Sequence, residues 1–227
     1  MWSDEAWQAA EPVYQLILAH PFITELASGV LPAAKFRNYI VQDSLYLREY
    51  GRVMAVLASR FSDPEISRLF MTFAMENLDA EKALHDFYLS AGGQCAVSDL
   101  SVGPMSVPAS PACLLCSSHL WRQAVAEPVE VALASVLPCF TVYAKVGQSV
   151  FEAAFPTLES NPYGKWIATY GSSSFDEPTE RLLSLCDEAA AGASRQLRDR
   201  MTEAFVMGVK LEWLFWNSAY EMEKWKI

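Results

Sequence analysis

Cys139 lies in Ser-Val-Leu-Pro-Cys-Phe-Thr-Val-Tyr, one residue past Pro138, within fourteen residues (131–144) that carry no charge. A thiol in that setting is a candidate nucleophile: Pro138 removes a helical amide donor and tends to kink the axis beside it, and Tyr143 puts a phenol one turn further along the same face. Two carboxylates stand where helical spacing calls for core residues. Asp43 is the single acid in the stripe Phe36, Tyr39, Ile40, Asp43, Tyr46, Leu47, Tyr50, Met54. Glu212 takes the same place in Phe205, Gly208, Val209, Glu212, Phe215, Trp216, Ala219, where Gly208 would leave room beside it. A carboxylate buried without partners costs several kcal/mol or shifts its pKa, so each acid needs hydrogen bonds, a cation or a ligand. An acid between aromatic faces can hold a proton near neutral pH, as a general acid must.

Structural readings of the same residues stay open. Asp43 can accept bonds from a tyrosine or a backbone amide, and Glu212 can pair with Arg48, Arg52 or Lys145. Cys139 can be an apolar filler, the usual role of a buried free cysteine. Cys113-Leu-Leu-Cys116 with His119 is half of a zinc site without its other half, and the three residues rotate away from one point on a helix. Glu81 and His85, four apart, suit a carboxylate-bridged metal pair. With only three histidines in the chain, His85 sharing a hydrogen bond with Glu81 is the simpler expectation. No metal and no cofactor is expected.

These groups require long helices to hold them. Strand patterns are scarce and apolar residues recur at intervals of three and four, which predicts an all-α chain forming a single domain over 1–227. Helices are expected at 3–19, from Pro32 to 61, and from the capping sequence Ser62-Asp63-Pro64-Glu65 to Gly92-Gly93. Further helices are expected at 112–126, 128–154, 163–170, 178–190 and 194–224. His20-Pro21 interrupts the first pattern. Residues 92–111, rich in Gly, Ser and Pro, read as a surface crossover or lid.

Composition excludes several classes of function. Seventeen basic and twenty-seven acidic residues give a net charge of -10, which repels nucleic acid and anionic lipid. The apolar run after Pro128 is broken by Glu130, Ser135, Pro138 and Lys145 and reads as a buried core helix rather than a membrane span. Five cysteines without an export signal at the start predict reduced thiols in the cytoplasm.

Several motifs, taken in register, resemble the TenA family, the thiaminase II proteins. They are His20-Pro21-Phe22, Phe36-Arg37-Asn38-Tyr39 leading to Gln42-Asp43-Ser44-Leu45-Tyr46-Leu47, Leu137-Pro138-Cys139 with Tyr143, Trp166-Ile167-Ala168-Thr169-Tyr170, and Glu212-Trp213-Leu214-Phe215-Trp216. The resemblance spans nearly the whole chain. It implies a haem-oxygenase-like helical bundle, a homotetramer, and hydrolysis of 5-substituted 4-amino-2-methylpyrimidines or thiamin in pyrimidine salvage. It further implies Cys139 as nucleophile, Glu212 as the acid on the ring, Asp43 as acceptor for the amino-substituted edge, and Tyr46, Tyr143, Tyr170 and Phe215 as pocket aromatics. Two positions depart from the family pattern: Cys116 stands where a pocket tyrosine is usual, and Leu45 where an aromatic is common. Two other functions remain as alternatives. One is a haem-oxygenase-like, metal-dependent oxidase with His20 as the ligand to watch; the other is a non-catalytic pyrimidine binder.

Overall fold

Helix after helix begins where the sequence places a cap or an early proline. In the computed structural model the described residues are 1–88, 107–171 and 176–226, with the side chains of 80–88 and 176 left aside. They form α1 (Trp2–Leu18), α2 (Pro21–Ala27), α3 (Ala33–Ala58), α4 (Pro64–Tyr88), α5 (Pro111–Ala126), α6 (Val129–Ala154), α7 (Gly164–Tyr170), α8 (Asp176–Gly192) and α9 (Arg195–Glu221), with no strand among them. Most boundaries fall within two or three residues of the periodicity. The exception is α2, which the His20-Pro21 break concealed. His20 caps it, its Nδ1 accepting the Phe22 amide at 3.1 Å, and Pro21 is its first residue, where a missing N–H costs nothing. Most of the stretch expected to be a lid, Cys95 included, lies outside the described residues.

The chain divides into two compact units. The first comprises Met1–Leu31 and Glu130–Asn217, the second Pro32–Val129 and Ser218–Ile227.

In the first unit α6 is the core helix. It is buried on nearly every side, from Val131 to Ala154, as a helix apolar all round must be. Among the described residues this one helix is long and apolar enough to cross a membrane, and most of that apolar window is buried inside the fold. α1 packs on α8, and its start is pinned there: the Ser3 amide and hydroxyl donate to the Asp187 carboxylate at 2.8 and 2.7 Å. Trp2 Nε1 reaches Thr202 on α9 at 3.0 Å. α2 ends on Gly29 at φ 75°, a left-handed turn that glycine adopts without Cβ strain. Asn161 then holds that end, donating to the Leu26 and Ala27 carbonyls at 3.1 Å, while the Tyr163 hydroxyl donates to the Leu31 carbonyl.

In the second unit α3 packs along α4 and against α5. Gly51 on α3 allows this approach: a Cβ there would stand 3.1 Å from the Ala74 carbonyl oxygen of α4. At the far end of α5, the Arg60 guanidinium donates to the Ala124 and Glu127 carbonyls, both at 2.7 Å, placing a cation where the helix dipole is negative. Glu49 of α3 accepts from Trp121 Nε1 of α5 at 3.0 Å.

Among the described glycines, the closest approach lies between α6 and α7. A Cβ on Gly147 would meet the Tyr170 carbonyl oxygen at 2.2 Å, and backbone cannot swing aside as a side chain can. Gly147→Ala is therefore expected to destabilise by about 2–3 kcal/mol and lower the melting temperature by roughly 4–10 °C, read in a thermal unfolding scan.

Candidate functional site

Every position of the stripe on α3 that contains Asp43, and of the stripe on α9 that contains Glu212, is buried. Asp43 is 2 % exposed and Glu212 7 %. The two acids belong to different units. The first unit holds Cys139, Tyr143, Tyr170, Glu212 and Phe215; the second holds Asp43, Tyr46 and Cys116.

The register of α6 on α9 is set by one contact. A Cβ on Gly208 would stand 2.5 Å from Pro138 Cγ and 3.1 Å from its Cβ. The room that Gly208 was expected to leave beside Glu212 is taken up by the proline ring. Its consequence is positional: Cys139 follows the contact residue on α6, and Glu212 lies one turn beyond its partner on α9. One turn beyond Cys139, Tyr143 opens an aromatic cluster. Its ring lies 5.5 Å from Tyr170 of α7 and 5.3 Å from Trp216 of α9; Trp166 stands 4.5 Å from Tyr170, and Phe22 of α2 stands 5.1 Å from Trp216.

Cys139 is also the most accessible of the described thiols. Cys113, Cys116 and Cys186 are buried, whereas Cys139 is partly open. Burial pushes the Cys113 thiol up to about 12, with the Asp43 carboxylate adding to the effect and Arg48 opposing it; burial, and then Asp187, raise Cys186 as well. A thiol held protonated is a poor nucleophile.

In the second unit, Asp43 is the carboxylate out of balance. Its Oδ2 is fully buried and finds no hydrogen-bond partner in the protein. Burial pushes its pKa up to about 7, with Tyr39, one turn earlier, pulling the other way. Cys113 sits beside it and donates through Sγ to the Gln42 carbonyl at 3.5 Å. Tyr46 is buried with its ring 5.7 Å from Tyr50, and Cys116 lies one turn past Cys113 on α5, 4 % exposed. Gln42 had no role in the sequence reading. It holds the approach to α5, accepting the Ser110 amide at 2.7 Å and donating to the Pro108 carbonyl at 3.3 Å.

The metal and haem readings meet the geometry differently. Among the described residues no three His, Cys, Asp or Glu side chains gather as a ligand set. The Glu81 and His85 side chains lie outside the described residues. His20 does not fit a haem ligand, because both ring nitrogens are engaged: Nδ1 accepts the Phe22 amide, which leaves the proton on Nε2 facing Asn217 Oδ1 at 3.4 Å.

The fold is all-α and of the haem-oxygenase-like type. The chain superposes with a TM-score of 0.81 on a TenA homologue from P. horikoshii OT3, at 24% identity over 97% of this chain and 99% of that one. It superposes with a TM-score of 0.74 on a domain of unknown function with a heme oxygenase-like fold from Shewanella denitrificans OS217, at 15% identity over 96% and 92%. Residues 7–222 match the TENA/THI-4/PQQC family, and the chain belongs to it. Among its relatives is the aminopyrimidine aminohydrolase of Bacillus subtilis (strain 168), 29% identical over 98% of this chain and 91% of the relative.

The buried Asp43 carboxyl, with one oxygen unpartnered, has a pH signature. With its pKa raised on folding, the native state binds the extra proton between about pH 4 and pH 7, so Asp43 makes stability fall as pH rises through that window. The fall should be on the order of 4 kcal/mol at most. Asp43→Asn should flatten it, measured as melting temperature against pH without ligand.

Proposed function

We propose that this protein hydrolyses 5-substituted 4-amino-2-methylpyrimidines, releasing the hydroxymethylpyrimidine for thiamin pyrimidine salvage. The observation that carries the reading is membership of the family over residues 7–222 together with the most accessible of the described thiols, Cys139, in register with a buried acid. Relatives named aminopyrimidine aminohydrolase match nearly end to end and supply the substrate class.

Chemically, the reaction must break a bond between an exocyclic methylene and an amine or thiazolium on an electron-rich ring. Protonation of a ring nitrogen makes the ring electrophilic, and Glu212 is the acid assigned to that step. The Cys139 thiolate adds to the ring carbon beside the substituted arm, and electrons returning through the ring expel the leaving group. Water then adds to the exocyclic methylene, its released proton balancing the one a departing amine takes up; the proton on the ring nitrogen returns to Glu212, and the thiolate departs. Asp43, with a buried oxygen that no protein group satisfies, suits the amino-substituted edge, whose N–H would supply the missing donor. Tyr46, Tyr143, Tyr170, Phe215 and Cys116 are assigned to the walls. The whole chain acts as one TenA-like domain, in the cytoplasm and as a homotetramer.

Cys139→Ala is expected to abolish release of hydroxymethylpyrimidine, and Glu212→Gln to slow turnover by about a hundredfold or more with an altered pH profile. Product chromatography with aminomethylpyrimidine, formylaminopyrimidine and thiamin as substrates decides both. Undiminished turnover in the alanine variant would remove Cys139 from the mechanism. Ligands that raise the melting temperature of the unaltered protein without yielding product would point to a binding protein instead.

A further inference from the structure

The residues after Asn217 do more than finish α9. The helix closes in a Schellman turn, with the Glu223 amide on the Ser218 carbonyl at 2.9 Å and the Met222 amide on the Ala219 carbonyl at 3.3 Å. Met222 sits at φ 50°, a conformation that side-chain-bearing residues disfavour. This reversal carries Glu223 back to the start of α5. There Oε2 accepts the Ala112 amide at 3.2 Å and the Ser218 hydroxyl at 2.9 Å.

Because Ser218 spends its one proton on Glu223, the 3.1 Å contact between Ser110 and Ser218 must be donated by Ser110. Ser110 Oγ in turn accepts the Cys113 amide at 3.1 Å. The relay therefore runs from the first turn of α5 to a carboxylate, and a helix N-terminus, with its unpaired amides and positive dipole end, favours an anion in that place. Trp225 adds a second tie, Nε1 donating to the Ala109 carbonyl at 2.9 Å. Asn38 of α3 holds the other side of the tail at the Ala219 carbonyl, 3.2 Å, and Lys35 Nζ lies 3.0 Å over the Tyr220 ring.

We infer that residues 218–225 form a clasp on the first turn of α5, and that Glu223 is a positioning residue acting through Ser218 and Ser110 on the wall that carries Cys113 and Cys116 beside Asp43. Glu223 contacts the end of α5 and not Asp43, so its effect is on where the wall stands. The link from wall to substrate rests on the proposed reading of Asp43 as the pyrimidine acceptor.

The test uses the full chain with Glu223→Ala, Glu223→Gln and Ser218→Ala. Iodoacetamide labelling resolved by site through mass spectrometry reports Cys113 and Cys116, 2 % and 4 % exposed, with the equally buried Cys186 as internal control. Loss of one such anchoring bond should raise labelling of Cys113 and Cys116 by about fivefold to tenfold and raise KM similarly, with kcat within about twofold. Glu223→Gln, which keeps an acceptor oxygen, should recover most of the loss, and Ser218→Ala should fall between the two. Unchanged labelling of Cys113 and Cys116 in both the alanine variants would overturn the clasp, as would an equal rise at Cys186. If the unaltered protein turns over no pyrimidine, the proposed function fails while the labelling still decides the clasp. If it does turn substrate over and Glu223→Ala alters labelling but not KM, the link from clasp to site is overturned.

Discussion

The first unit depends on the absence of a side chain at Gly208. Pro138 occupies the volume that any Cβ there would need, so α6 and α9 meet at one fixed register. Helices that pack through larger side chains can slide or rotate by adjusting rotamers, but a proline ring set against a glycine has almost no such freedom. Pro138 brings a cost of its own, since it takes away one hydrogen bond within α6, and the helix nevertheless runs unbroken from Val129 to Ala154. Burial along nearly all of that length supplies the compensation. Cys139, one residue from so constrained a point, is placed with the same precision.

The other described thiols sit in a different setting. Desolvation holds Cys113 and Cys186 protonated; Asp43 adds to it for the first and Asp187 for the second. Cys139 instead keeps a partly open face, next to an aromatic cluster whose rings come from α2, α6, α7 and α9. The close approach at Gly147 brings α7 near enough for Tyr170 to reach Tyr143, so a second glycine places a second piece of the same wall. Small residues thus do the positioning, and large aromatic ones make the surface.

Helices and their buried stripes were legible in the sequence because periodicity and caps are local signals. Asp43 and Glu212 were visible as acids inside apolar stripes, and both are buried as that pattern required. α2 escaped because seven residues hold too few periods to register, and because His20-Pro21 reads equally as a break and as a cap. Gly208 signals room on its helix face but not its occupant, since a glycine shows that something comes close without showing what. Partnerships between residues far apart in the chain, such as Gln42 with Ser110 or Glu223 with Ala112, leave no periodic trace. Each of those residues looks like an ordinary polar side chain until its partner is placed.

The two acids illustrate how one local pattern leads to different physical states. Glu212 has company in the fold, whereas Asp43 retains an oxygen that no protein group satisfies. A buried, unsatisfied carboxyl weakens the protein at neutral pH, and a domain of ordinary stability tolerates few such groups. Two polar neighbours are engaged elsewhere: the Gln42 side-chain amide donates to the Pro108 carbonyl, and the Cys113 thiol donates to the Gln42 carbonyl, while Tyr39 lowers the Asp43 pKa only in part. The neighbours of Asp43 are thus tied to the approach to α5, which fixes the wall beside it while its own acceptor is left over. On the proposed reading of Asp43 as acceptor for an amino-substituted edge, that oxygen is an asset, because a ligand N–H then gains a bond that replaces none within the protein.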